Sequence, residues 1–547
     1  MTAGGGYPSS SDGRFEEPAV ELPDWEQEDA HAARRARRRR RITAVVAVGA
    51  IAALALSACA PLLGLIERLQ PAPSMPEVVG TDFGSQQPNW RDCFDGMQCA
   101  KVYAPLDWND LEGDRIELAL VKQPALGGQP QGTLFVNPGG PGASGTSYIA
   151  QSIDSAVGQP LQQRYDVIGW DPRGVGASSA IACLDDAGMD EYLFGASPLD
   201  ELEPGTQEWV DAAVRESAAY GDACLEATGP LLAHVDTGST VHDLDMLRSI
   251  VGDPELNYLG YSYGTYIGAR YADAFPDRVG RLVLHGAIDP TSTEAEVVRE
   301  QTRGFELSLR AYMADCLSRA ECPVSGTVDE GLAAWHEMIS AVEDRPLTGS
   351  DGRMVGSGTL LTAIIAPLYS QYSWPYLDDL YRTVTQGDAD VALQLADFYY
   401  DRVDGRYSSN LITAFHAINC LDYPRFLPLD LDRMREDAAE LERIAPTIGG
   451  FQGYGDVSCA GWPVEGVEDR SPVRAEGADP ILVIGTTGDP ATPLRWAQSL
   501  AAQLESGVLL TYEGEGHTAY GESACVNEIV ETYLLDGTTP AAGARCA

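Results

Sequence analysis

At 547 residues the chain is too long for one compact core and calls for a main domain carrying a large insertion or a second domain. A composition of 44% hydrophobic and 22% charged residues is that of a globular protein with ample core. Thirty-seven basic against 81 acidic side chains leave a net charge of −44, which repels phosphate backbones and excludes nucleic-acid binding as a function class.

The chain opens on a Gly/Ser-rich and then acidic stretch, followed by Arg34, Arg35 and Arg37 to Arg41. Residues 1–41 read as a disordered cytoplasmic tail with a basic n-region. From Ile42 to Ile66 no residue is charged. Basic then apolar is the pattern of an export signal or a membrane anchor with the arginines inside. Leu56-Ser57-Ala58-Cys59 resembles a bacterial lipobox, which would make Cys59 a lipidation site. The apolar stretch continues beyond Cys59 and is long enough to cross a bilayer uncleaved. Lipoprotein and signal anchor both stay open, with plain secretion as the third reading. The first two place the rest of the chain outside the cytoplasm on a membrane tether. Residues 67–89, rich in Pro, Gly and Ser, read as a linker.

From residue 90 to 290, short β-branched runs alternate with helical patterns. The predicted strands are Ile116–Val121, Thr133–Asn137, Tyr165–Trp170, Leu256–Gly260 and Arg281–Leu284, with Ile481–Gly485 and Val508–Tyr512 near the end. Several are continuous apolar runs, as parallel strands covered on both faces require. The alternation predicts an α/β fold with a mostly parallel, doubly wound sheet. It stops near Pro290 and resumes near Pro480. Residues 291–474 read as a helical lid: Thr293-Glu294-Ala295-Glu296 is a capping box, opening a helix with Val298, Phe305, Leu309 and Tyr312 on one stripe. Helical patterns at Thr327–Val342 and Leu360–Thr385 follow, the latter interrupted at Trp374-Pro375. Residues 475–547 return to the sheet domain.

Within this frame the strongest chemical signal is Gly260-Tyr261-Ser262-Tyr263-Gly264, after a predicted strand and before a predicted helix, Tyr266 to Phe275. A strand–turn–helix Gly-x-Ser-x-Gly is a nucleophile elbow, and Ser262 is its nucleophile. A serine hydroxyl needs a base. Chain order in this architecture runs Ser, acid, His. His517, in the Gly-rich loop after the last predicted strand, takes the base position; His416 reads as a packed lid residue. Asp489, after the penultimate predicted strand, takes the acid position, with Asp289 as competitor. Thr492 followed by Pro493 reads as N-cap and first turn of the next helix. The loop Asn137-Pro138-Gly139-Gly140-Pro141-Gly142 follows a strand where this architecture draws one oxyanion N–H, so Gly140 and Tyr263 are the candidate oxyanion donors. Asp171 and Arg173 in Trp170-Asp171-Pro172-Arg173-Gly174 read as a scaffolding pair.

Beyond Cys59 there are ten cysteines, an even number that in an exported chain predicts disulfides. Sequential pairing is the simplest map: Cys93–Cys99, Cys183–Cys224, Cys316–Cys322, Cys420–Cys459 and Cys525–Cys546. No Cys-x-x-Cys pair occurs and no histidine stands at zinc spacing, which argues against a metal.

From about residue 90 onward the chain resembles the secreted tripeptidyl aminopeptidase-like (TAP-like) bacterial α/β-hydrolases, relatives of prolyl iminopeptidases. The resemblance rests on Asn-Pro-Gly-Gly-Pro-Gly at 137–142, Trp-Asp-Pro-Arg-Gly at 170–174 and Gly-Tyr-Ser-Tyr-Gly-Thr at 260–265. It extends to Trp374-Pro375, Ala417 to Asp422, Cys459 to Pro463, Gly488 to Pro493 and Gly516-His517. It implies an α/β-hydrolase fold with a helical lid and a Ser/Asp/His peptidase or esterase acting outside the cell, often on short peptides from a free amino terminus. His285 departs from the pattern, which has an acidic residue before the Gly. The leading expectation is a serine exopeptidase acting through an acyl-enzyme, with no metal or organic cofactor. The alternatives are a carboxylesterase or lipase on the same triad, and a catalytically silent surface binding protein. An exopeptidase must hold a substrate ammonium, and Asp422 in the lid is the candidate carboxylate.

Overall fold

The computed structural model describes residues 75–424, 427–466 and 470–547. The expected tail 1–41, apolar segment 42–66 and lipidation site Cys59 lie outside the described residues. Among the described residues no helix is long and apolar enough to cross a membrane.

A ten-stranded sheet forms the core, with β1 Arg91–Asp92, β2 Gln98–Pro105, β3 Arg115–Gln123, β4 Thr133–Asn137, β5 Asp166–Trp170, β6 Leu256–Tyr261, β7 Val279–His285, β8 Ile481–Gly488, β9 Gly507–Glu515 and β10 Ala544–Cys546. Their spatial order is β1-β2-β3-β5-β4-β6-β7-β8-β9-β10. The pairs among the first three strands, and β3 with β5, are antiparallel. Every pair from β5 to β10 is parallel. This is the α/β-hydrolase fold. The central parallel strands β4 to β8 are mostly apolar and buried because both faces are covered. Phe135, Ile168 and Tyr258 pack into the cluster on one face, and Leu134, Val136, Val167 and Leu259 into the cluster on the other. Each such fully buried side chain contributes roughly 1.5–3 kcal/mol.

The lid has its own core, where Phe305, Leu309, Tyr312, Trp335, Leu360, Trp374 and Leu377 pack together. Its first helix, Glu294–Ser318, opens on the expected capping box, with Thr293 and Glu296 bonded reciprocally. The third helical region divides into Ser357–Leu368 and Pro375–Thr385, and Pro375 opens the second helix at its first position, where a missing N–H leaves no bond unmade. Two boundaries differ from the sequence expectation. Phe194, from the helix Asp186–Phe194 well before residue 291, joins the lid core. The helix Leu411–Asp422, inside the expected lid, packs Ala414, Ala417, Ile418 and Leu421 onto the sheet cluster.

The expected linker also ends earlier than residue 89. Phe83 and Gln86 are buried. The Gln86 amide donates to Tyr103 O and its oxygen accepts Tyr103 N–H, extending the hydrogen bonding of β2 with a side chain. Among the described residues the disulfides are Cys93–Cys99, Cys183–Cys224, Cys316–Cys322, Cys420–Cys459 and Cys525–Cys546.

Candidate active site

Because β4, β6, β7, β8 and β9 run parallel, their carboxyl ends open at one edge of the sheet, where this class of fold places its ligands. Ser262 stands between Tyr261, the last residue of β6, and the helix Tyr263–Ala274, with φ +53 and ψ −123. A non-glycine residue keeps such a backbone only where its surroundings force it. Ser262 N–H donates to His285 O at 2.9 Å, and Thr265 Oγ1 donates to Ser262 O at 2.6 Å. The second glycine of the motif is a steric requirement, since a Cβ on Gly264 would lie 2.7 Å from Asn137 Oδ1 and 2.9 Å from Asn137 O.

The Gly-rich loop after β4 abuts the elbow. Gly139 has φ +97, and a Cβ there would lie 2.9 Å from Ser262 Cβ and 3.0 Å from Tyr263 N. Its amide donates to Asn137 Oδ1 at 2.9 Å. Gly139 therefore lies against the first amide of the elbow helix, and the next residue, Gly140, has φ +105. Asp171 anchors the far end of this loop. Its carboxylate accepts Ser144 Oγ, Thr146 N, Thr146 Oγ1 and Ala177 N at 2.7–3.0 Å.

Asp489 is buried after β8, and both its oxygens lie 3.0 Å from His517 Nδ1. It also accepts Ala491 N, Thr492 N, Thr492 Oγ1 and, at 3.3 Å, Thr518 N. A carboxylate so surrounded has a single orientation. His517 is tied to the lid as well: its N–H donates to Tyr369 O at 2.8 Å, and the Tyr369 ring meets the imidazole edge-on at 5.4 Å. The two halves of the site join at β7. Ser262 is bonded to His285 O, and a Cβ on the next residue, Gly286, would lie 3.2 Å from His517 Cε1. A cavity of 440 Å³ opens beside the acid loop, lined by Gly304, Leu307, Gly488, Asp489, Pro493 and Glu515 among others. Burial raises the Glu515 carboxyl above its ordinary range.

Several expected roles change. Thr492 does not cap a helix; the helix begins at Leu494, and the Thr492 hydroxyl donates to Asp489 Oδ2 at 2.9 Å and lies 3.2 Å from His517 Nδ1. Asp171 and Arg173 are structural but are not a pair. Arg173 is fully buried and bonds Asp243 through Nε and Nη2, each at 2.7 Å. Asp422 closes a helix rather than an irregular segment. It is 1% exposed, and its oxygens accept Thr237 N at 2.9 Å, Thr237 Oγ1 at 2.6 Å and Tyr263 OH at 3.4 Å. That carboxylate is committed to bracing the residue after Ser262, which takes it out of the running as an ammonium receptor. Asp289 accepts Thr291 N, Thr291 Oγ1 and the Gln503 amide, and among the described residues no hydrogen bond links it to His517.

The fold also brings Cys459 to His416 and Cys420, which stand four residues apart on the helix Leu411–Asp422. His416 lies with the sulfurs of Cys420 and Cys459 in a group whose ligand atoms are all within 4.8 Å of one another. Those sulfurs are bonded to each other, so neither is a thiolate ligand. The imidazole packs between Tyr220 and Trp462, and burial lowers its pKa to about 4.

Comparison with known proteins agrees with this geometry. The family described as "TAP-like protein" matches residues 445–546. The chain is 36% identical over 465 residues to the serine protease Hip1 of Mycobacterium tuberculosis, covering 82% of this chain and 87% of that one. It is 34% identical over 507 residues to carboxylesterase B of the same species, covering 90% and 95%. It is 30% identical over 474 residues to the tripeptidyl aminopeptidase of Streptomyces lividans, covering 84% and 86%. The chain belongs to the TAP-like family of α/β-hydrolases and is a serine hydrolase.

Proposed function

We propose that the protein is an exopeptidase that releases short peptides from free amino termini outside the cytoplasm, with Ser262, His517 and Asp489 as its triad. The observation that carries the triad is the placement of His517 Nδ1 equidistant from both oxygens of a buried Asp489 at the end of β8, with β7 alone between it and β6, whose end carries the Ser262 elbow. In this arrangement Nδ1–H donates to Asp489, and Nε2 is left to take the Ser262 proton. Ser262 Oγ attacks the scissile carbonyl carbon, and the resulting oxyanion is received by the amides of Gly140 and Tyr263. The C–N bond breaks as His517 returns the proton to the leaving amine. Water then attacks the acyl-enzyme with His517 again as base, which frees the short peptide and restores Ser262.

The relatives named serine protease and tripeptidyl aminopeptidase support a peptide substrate. The lid supports attack near a chain end, since Tyr369 reaches from it onto His517 and restricts access from that side. The basic and apolar segments before residue 67 support export and a membrane tether. A short-chain ester substrate is the second reading, favoured by the likeness to carboxylesterase B. Paired peptides with free and acetylated amino termini, measured beside a nitrophenyl ester, separate the two. Acetylation should cut kcat/KM by about tenfold or more, since a charge-assisted hydrogen bond contributes roughly 1.5–3 kcal/mol. Equal turnover of both peptides, with the ester preferred, would replace the exopeptidase with an esterase.

A further inference from the structure

We propose that His285 is a positioning residue that holds the His517 loop against the strand behind the elbow, acting as a permanently neutral imidazole. The inference rests on the triad reading above. His285 ends β7 and is fully buried. Its carbonyl accepts Ser262 N–H at 2.9 Å, and its Nε2 accepts Ala519 N–H at 2.8 Å. One residue thus ties the nucleophile's own amide to the amide two positions beyond His517. The sheet register fixes it from both sides, with His285 opposite Tyr261 on β6 and Ile484 on β8.

The His517 loop needs such a tie. Thr518 has φ +73, a left-handed conformation that a β-branched residue adopts only when held there. Before this turn, Gly516 N–H donates to Gly488 O at 3.2 Å and His517 N–H to Tyr369 O at 2.8 Å; after it, two further backbone amides are held from outside. Thr518 N–H reaches Asp489 Oδ2 at 3.3 Å, and Ala519 N–H reaches His285 at the much shorter 2.8 Å. Without the bond to His285, the chain after His517 would keep only the 3.3 Å bond from Thr518, and the ring's position relative to Ser262 would loosen on that side.

The chemistry of the tie specifies the protonation state. An imidazole accepts at Nε2 only as the neutral Nδ1–H tautomer. A proton on Nε2 would aim one donor at another. Complete burial opposes that charge, and so does His517; the nearby Asp489 favours it but does not prevail, and the pKa falls to about 3. Nδ1 is itself buried without a hydrogen-bond partner among the described residues. A buried unsatisfied N–H is costly, which fits a residue kept for its acceptor rather than for packing. A carboxylate here would be an acceptor too, but it would add a buried negative charge close to Asp489. Histidine provides the acceptor without the charge.

The test compares His285→Leu and His285→Gln in the full chain. Leucine fills volume without an acceptor, whereas glutamine restores an oxygen near the Nε2 position. For His285→Leu we expect kcat on a peptide substrate to fall about tenfold or more with KM within about twofold, and fluorophosphonate labelling of Ser262 to slow in parallel. His285→Gln should recover both rates to within about threefold of wild type. A folded His285→Leu that labels at the wild-type rate overturns the proposal, as does equal impairment of the two variants, which would mean that only shape matters. If His285→Leu does not fold, imidazole ¹⁵N spectra of the wild type decide. An unprotonated Nε2 at His285 throughout about pH 5–8 supports the proposal, and titration in that range overturns it. Failure of the wild type to label at Ser262 would instead refute the triad.

Discussion

Asp489→Asn changes one atom at the most heavily bonded position in the site. Of the two Asp489 oxygens, Oδ1 accepts the amides of Ala491 and Thr492, while Oδ2 accepts Thr492 Oγ1 and Thr518 N; both face His517 Nδ1. An asparagine NH₂ in the Oδ1 place would confront two backbone donors at 3.0 Å or less. It will therefore turn its nitrogen to the Oδ2 side, where Thr492 can rotate its hydroxyl and only the 3.3 Å bond from Thr518 is lost. The NH₂ then donates to His517 Nδ1, which forces the proton onto Nε2, where Ser262 needs a base. The wrong tautomer costs on the order of 10⁴ in kcat, about 5 kcal/mol of transition-state stabilisation. The assay is steady-state hydrolysis of a free peptide and of a nitrophenyl ester, with a melting curve to show that the variant folds. Asp289→Asn is the control and should stay within about threefold of wild type, since the hydrogen bonds of Asp289 go to Thr291 and Gln503. A loss below tenfold for Asp489→Asn, or a matching loss for Asp289→Asn, would refute the assignment of the acid.

Thr492→Val removes only the hydroxyl that donates to Asp489 and should lower kcat about tenfold with little change in KM; unchanged kcat would return Thr492 to a purely structural role. Glu294→Gln tests a half-buried lid carboxyl whose pKa rises from 4.5 to about 7, through desolvation first and Asp456 second, with Arg433 opposing. Folding takes up a proton there, so the stability linked to Glu294 is complete below pH 4.5 and is lost as pH rises through about 7. The glutamine variant should therefore melt higher than wild type above pH 7 and show a flatter dependence between these values; a lower melting temperature at high pH would contradict the shift.

Local patterns were the most legible part of the molecule. The seven strands predicted from apolar runs all form, and burial on both faces gives the central ones, β4 to β8, a nearly continuous signature. β2 was missed because its buried positions mostly alternate with half-exposed ones and it includes Lys101 and a closing proline. β10 was missed because three residues are too few to carry a period. The elbow, the acid loop and the histidine loop were each readable from within a few residues. Roles set by distant partners were not. Asp422 is explained by Thr237 and Tyr263, which lie 185 and 159 positions away. Arg173 is explained by Asp243, 70 positions on. Thr492 misled because Thr-Pro is a common helix opening, and only the fold shows its hydroxyl turned to Asp489. Tyr369 carried no sequence signal, since its contribution to His517 is a backbone carbonyl and a ring edge.

The central claim is that Ser262 is the nucleophile of an acyl-transfer site, and stoichiometric labelling with a serine-directed fluorophosphonate tests it most directly. Peptide mapping of the labelled wild type should place one adduct per chain on Ser262, with hydrolysis lost in proportion to labelling. Ser262→Ala should neither label nor turn over peptide or ester, a loss of several orders of magnitude. An adduct on another residue, or a Ser262→Ala variant that keeps its hydrolytic rate, would contradict the account.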